Sequence, residues 1–260
     1  MTARNEHLEL FYAALSGLAE TGHGPRRLAE CTGRDGWPRQ GVYFFFEDGE
    51  NRADGSPRVV RVGTHALRPG DKTTLWGRLR QHRGRIGGRN PGGGNHRASI
   101  FRRHVGAALI RRDRLPGELA ISWASRHPEP GWEAAEDQLE LAVSQHIRAM
   151  PFLWLAVPTR PDGSSDRGFL ERNAIALLSC AAGGPDKPSS GWLGRHAASR
   201  KVRDSGLWNA DHVEDSYDPA FLDVLAGLAG NSRPGLARSR PAWPVAEGRQ
   251  QREPGANEQP

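Results

Sequence analysis

Two short runs constrain the fold more than anything else in the chain. The first is "GVYFFF" at 41–46, and the second is "RVVRVG" at 58–63. The first has almost no polarity and is too short for a typical helix. It runs into Glu47-Asp48-Gly49, so it reads as a buried strand that ends in a turn. Asp48-Gly49 and Asp54-Gly55 are both turn dipeptides. The two runs therefore form an antiparallel hairpin, with 47–57 as a long connecting loop. Tyr43 brings the only side-chain hydroxyl into the first strand. That hydroxyl is either incidental to packing or does chemistry.

Around the hairpin the pattern is helical. Leu8, Phe11, Leu15 and Leu18 recur at helical spacing across 5–20 and predict an amphipathic helix packed on the core. Thr73 or Thr74 caps a helix over "LWGRLRQHR", and residues 99–110 read as a basic helix. "ELAISWAS" at 118–125 reads as a strand, 132–149 as a helix, and "FLWLAVP" at 152–158 as another strand. A helix over 166–180, a loop leading to "SGLWN", and a short helix over 218–229 follow. The expected class is α+β, with a small, largely antiparallel sheet. Residues 231–260 carry no periodic apolar pattern and read as a disordered tail.

With 260 residues the chain can build one sizeable domain. No apolar run approaches a membrane span, and the start lacks the pattern of a signal peptide. Cys31 and Cys180 make neither a disulfide framework nor a zinc site, so a cytoplasmic, reducing setting is expected. The net charge of +6 is unevenly spread: 58–114 holds fifteen Lys or Arg against two acids, Asp71 and Asp113. Such a block suits a polyanion, and it also suits a solvated face.

Three further features carry chemical meaning. Arg78 and His82 are four residues apart, on one helical face beside Leu75 and Leu79. A guanidinium is a planar fork for phosphate, and an imidazole can move a proton. Glu171 lies in line with Ile175 and Leu178, where a carboxylate is costly unless a metal or an arginine pairs with it. Asn209, after the apolar anchor of "LWN", can hold a loop or contact a phosphate.

Taken in order, these features resemble the GIY-YIG nuclease superfamily. "GVY" at 41–43 matches the first motif, and "RVG" at 61–63 stands where the second belongs. "GRLRQH" supplies the arginine and the histidine, "ERNAIALL" the glutamate helix, and "LWN" the asparagine element. The resemblance covers roughly 38–213, and the order of the motifs, more than any one of them, carries it. It implies a central three-stranded antiparallel sheet flanked by helices, here with an extra strand and long loops. It places a catalytic domain over 38–230, after a lead-in helix and loop over 1–37.

It further implies metal-dependent cleavage of DNA phosphodiester bonds, in the manner of the restriction-type branch. Carried over residue by residue, Tyr43 is the general base or holds the attacking water, and Arg78 clamps the scissile phosphate. His82 assists proton transfer or orientation, Glu171 ligates one Mg²⁺ or Mn²⁺, and Asn209 shapes the site near the phosphate. A phenol is a poor base at its ordinary pKa of ~10, so this role requires cations close by. Arg61, Arg97, Arg102 and Arg103 are the expected DNA contacts, and His96 could enter the site from its loop. DNA is the expected partner, no membrane is expected, and a homodimer is left open.

The chain departs from the family pattern at three places. Arg61 replaces the tyrosine that opens the second motif, the 47–57 loop is longer than usual, and Glu140 competes with Glu171 for the glutamate role. Glu171 is preferred because it lies within an apolar stripe. Arg61 supports a rival reading, a nucleic-acid-binding module that keeps the fold without catalysis.

Overall fold

A computed structural model describes residues 2–20, 24–68, 70–87, 91–160 and 162–230. Within them four strands form one antiparallel sheet in the order β1-β4-β2-β3. They are β1 (Arg26–Arg27), β2 (Gly41–Asn51), β3 (Pro57–Gly63) and β4 (Pro151–Ala156). The sheet is α+β in setting, with helices on both faces.

Both faces of β2 are covered, which is why its sequence lacks polar alternation. Val42, Phe44 and Phe46 point to one side. There they meet α1 (Ala3–Leu18), α6 (Arg167–Leu178) and α8 (Phe221–Leu228) through Phe11, Leu170, Ile175 and Phe221. Tyr43 and Phe45 point to the other side. That layer holds α2 (Leu75–Arg83), α3 (Ile100–Arg112) and α5 (Glu133–Ala149), through Leu79, Phe101 and Val143. The helix expected to pack on the core does so as α1, capped by Thr2, whose hydroxyl accepts the Asn5 N–H. Thr74 is the cap of α2, accepting the Gly77 N–H at 3.0 Å.

Three expectations need correction. Residues 118–125 are not a strand. Gly117–Ala124 is a helix, α4, which buries Leu119, Ser122 and Trp123 and leaves Ile121 exposed. That burial has a period of three to four, where a half-buried strand has two. The fourth strand is instead β1, from a segment whose Gly and Pro content reads as loop; it pairs with Pro151 and Phe152. The hairpin loop is also shorter than expected. Strand β2 continues through Asp48-Gly49 to Asn51, and Asp54-Gly55 alone makes the turn, with Arg52 and Ser56 bonded across it at 2.8 Å. Finally, the loop before "LWN" contains a short helix, α7 (Arg200–Ser205), anchored by the single apolar residue Val202. The tail expectation falls on 231–260, outside the described residues.

One irregularity in β3 bears on the site. Phe45 pairs with Arg61 and Phe46 with Val59, so Val60 is an extra residue, a β-bulge. The bulge shifts the alternation and sends both Val60 and Arg61 to the Tyr43 face: Val60 packs in that cluster, and the Arg61 guanidinium lies 4.6 Å from the Phe101 ring centre.

Candidate active site

The site forms where β2 and β3 begin and end side by side. Tyr43 pairs with Gly63 across the ladder. A side chain at position 63 would overlap the Tyr43 hydroxyl, so only glycine fits there. The next residue, Thr64, ties the motifs together. Its hydroxyl donates to the Gly41 carbonyl at 2.9 Å, and its N–H donates to Glu171 Oε1 at 3.1 Å. Tyr43 and Glu171, 128 positions apart in the chain, thus bracket the same end of β3.

The phenol of Tyr43 meets His82 from α2, with its oxygen 2.8 Å from Nε2. The other ring nitrogen, Nδ1, is 2.8 Å from the hydroxyl of Ser99, the N-cap of α3. Burial first, then Arg78, Arg61 and Arg102, hold the His82 pKa well below its ordinary value. It is therefore a neutral imidazole with one nitrogen donating and one accepting. Tyr43 and His82 are both 0% exposed. The pair is closed to solvent in this conformation.

Glu171, a half-buried residue, differs from the buried acids. Burial raises its pKa, while Arg61, the Thr64 N–H, His212 and Arg78 pull it back. Among the described residues it makes no ion pair, and its one hydrogen bond is the Thr64 N–H. Glu140, the competitor, is already occupied. It binds Arg102 through Nε and Nη2 and takes the N–H and Nδ1 of His96 at 2.7 and 2.9 Å. That carboxylate has no capacity left for another ligand.

Arg78 is partly buried on α2, with Nη1 donating to Gln81 Oε1 at 2.9 Å and to the Ala98 carbonyl at 3.3 Å. It makes no ion pair among the described residues. Arg61 is 5% exposed, and its Nη1 donates to the Trp208 carbonyl at 2.7 Å. Asn209 turns its amide onto β3: Nδ2 donates to the Val62 carbonyl at 2.8 Å, and Oδ1 accepts the Val62 N–H at 3.1 Å. Together with the Trp208 N–H on the Val60 carbonyl, this closes the outer edge of β3 as a further strand would. Asn209 therefore holds the strand through one donated and one accepted bond.

A match with a model of the GIY-YIG domain spans residues 2–234. This chain belongs to the GIY-YIG family. Neither the curated proteins nor the solved structures contain a match. The family is one of nucleases, and the order of motifs read from the sequence falls inside the matched region.

Two of the expected DNA contacts are engaged within the fold. Arg102 is 0% exposed and grips Glu140, the His82 carbonyl and Ser144; it is a core cation and cannot reach a DNA backbone. Arg97 forks onto Glu136 at 2.7 and 2.9 Å and bonds the Ser122 and Ser125 carbonyls. Its donors are committed within the fold. Arg103 is exposed, with one bond to the Ala124 carbonyl. His96 is stacked on Trp123 and buried, away from any route into the site.

One residue passed over in the sequence sits beside the site. His65, immediately after Thr64, is 6% exposed. Its Nδ1–H donates to the Thr73 carbonyl at 3.0 Å, and its Nε2 is buried with no partner. Burial drops its pKa to about 4. No spacing rule singles out a lone histidine in "GTHAL", so sequence reasoning had no handle on it.

Among the described residues no group of three or more His, Cys, Asp or Glu is placed to hold a metal. A single carboxylate fits a magnesium-like ion, which keeps waters and is commonly held by one or two carboxylates plus substrate phosphate. Glu171, unpaired with any cation and with a second oxygen bonded to nothing among the described residues, has the chemistry for that task. No helix among those residues is long and apolar enough to cross a membrane.

Proposed function

We propose that this protein is a metal-dependent DNA endonuclease that hydrolyses phosphodiester bonds. The observation that carries this reading is Glu171: a largely buried carboxylate, free of ion pairs, fixed by Thr64 at the end of β3 and within the fields of Arg61 and Arg78. A structural glutamate in such a position would be neutralised by an arginine, as Glu140 is. Leaving one unpaired beside two guanidiniums makes sense if it serves a cation.

Each residue then has a role its surroundings support. Glu171 would hold one Mg²⁺ or Mn²⁺, which when bound supplies positive charge to the phosphoryl oxygens. Arg78, bonded only to Gln81 and Ala98 among the described residues, turns to a phosphoryl oxygen of the scissile group. Arg61 stays tethered to Trp208 and adds fixed positive potential where the second motif's tyrosine would stand. His82, held neutral, fixes the phenol of Tyr43 and accepts its hydrogen. The free lone pair on that oxygen then orients the attacking water. Tyr43 and His82 are sealed, so DNA entry has to open a path to them.

That sealing favours a second reading, a DNA-binding module without catalysis. Gel shift and cleavage run together on supercoiled plasmid separate the two. Nicking that requires Mg²⁺ or Mn²⁺, stops with EDTA and is lost in Tyr43→Phe supports the nuclease. A shift without cutting, on plasmid and on mixed genomic DNA alike, supports the binder.

A further inference from the structure

The end of α2 carries positive charge that no ion pair among the described residues balances. A groove of about 580 Å³ lies between this helix end and Gly94 and Asn95, and Arg80, Arg83 and Arg85 line it. Arg148, from α5, closes the helix end by donating to the Arg83 carbonyl at 2.9 Å and to the Arg85 carbonyl. None of these four arginines makes an ion pair among the described residues.

Local structure does not account for the excess. A helix C-terminus presents about half a negative charge, too little for four guanidiniums. Arg83 is further constrained: it is 9% exposed, lies 4.8 Å from the Trp76 ring centre, donates Nη1 to the Cys31 carbonyl, and leaves Nε buried without a partner. Burial and then the neighbouring Arg148 keep its pKa below the ordinary arginine value. A bound anion would relieve that crowding. Arg80 and Arg85 are exposed and have no hydrogen-bond partner for their side chains among the described residues.

The groove adjoins the proposed reaction centre. Gln81 and Ala98, the two groups that hold the Arg78 guanidinium, are part of its wall. A phosphate at Arg78 would therefore have this groove beside it.

We propose that this arginine groove is a second phosphate-binding site, which holds the DNA backbone next to the scissile bond and sets the strand's direction across the site. The proposal rests on the nuclease reading above and adds a surface that the family motifs do not name. Arg80 and Arg85 would supply the contacts, with Arg83 as the fixed positive floor and Arg148 holding the Arg83 and Arg85 carbonyls.

The test is fluorescence-anisotropy binding of a mixed-sequence 30-base-pair duplex by the full chain in EDTA, across a range of salt. The arms are wild type, an Arg80→Ala/Arg85→Ala double variant, and an Arg160→Ala/Arg200→Ala control that removes the same charge from exposed sites elsewhere. The double variant should bind roughly tenfold or more weakly at low salt, with a log–log salt slope shallower by about 1.8, at roughly 0.9 per lost phosphate contact. In cleavage it should show a raised KM with kcat kept. If wild type binds and the double variant matches the control in affinity and slope, the groove is overturned while the nuclease reading stands. If wild type binds no duplex even at low salt, the nuclease reading itself falls.

Discussion

Tyr43 and Glu171 are each defined by one hydrogen bond, and each bond makes a prediction. Tyr43→Phe removes the oxygen that faces His82 Nε2 and leaves that buried nitrogen alone. Loss of about 1–3 kcal/mol is expected in denaturant unfolding, with cleavage lowered by roughly 10²-fold or more. For Glu171 the sign is the reverse. Burial raises its pKa, so the folded protein favours the protonated form and is destabilised where the group is ionised. Glu171→Gln should therefore melt higher than wild type at neutral pH while losing cleavage. The gain in Tm should shrink as pH falls through the ordinary carboxylate range, because wild-type Glu171 is then protonated as well. If Glu171→Gln melts lower than wild type at neutral pH, the residue is structural. The sequence led to both residues for different reasons. Tyr43 stood out as a hydroxyl in an apolar strand, Glu171 as a carboxylate in an apolar stripe. Their meeting through Gly63 and Thr64 depends on strand register, which no local pattern encodes.

At the scale of elements, the arginines mark the limit of sequence reading. Composition shows a basic block, but not which of its members face inward. Arg58 and Arg102, both in that block, are interior cations, paired with Glu50 and Glu140. The acids that neutralise them lie outside that block, so counting charges within it hides the pairing. The Arg102–Glu140–His96 cluster ties α3 to α5 and to the turn before α3. Glu140→Ala leaves Arg102 buried and unpaired, and should cost about 3–5 kcal/mol in thermal or denaturant unfolding. Elements with a clear pattern were legible: α1, α2, α5, β3 and β4 lie where the pattern puts them, and β2 begins where its apolar run does. Helix α4 was not, because "ELAISWAS" is apolar enough to suit either a strand or a short buried helix. Strand β1 was not, because two arginines after a proline carry no strand signal and pair only through β4.

The whole molecule shares one electrostatic property: it buries neutral histidines beside arginines. His82, His65 and His104 all have lowered pKa values, the last two to about 4, with burial the largest cause in each. A lowered histidine contributes stability above the unfolded value near ~6.5, and that stability is lost as pH falls towards the folded value. The Tm should therefore drop between about pH 6.5 and 4, and acid unfolding should take up as many as three protons at these histidines. Calorimetry in two buffers of different ionisation enthalpy measures that uptake. A flat Tm across the interval would contradict the burial of all three.

The same arrangement, neutral imidazole and free carboxylate among guanidiniums, is what the nuclease reading rests on. It is tested most directly by incubating supercoiled plasmid and mixed genomic DNA with the full chain and Mg²⁺ or Mn²⁺, beside EDTA and Glu171→Gln. The account predicts metal-dependent nicking by wild type alone. Equal nicking by wild type and Glu171→Gln, or no cutting of either DNA by a protein that binds it, would contradict the central role given to Glu171.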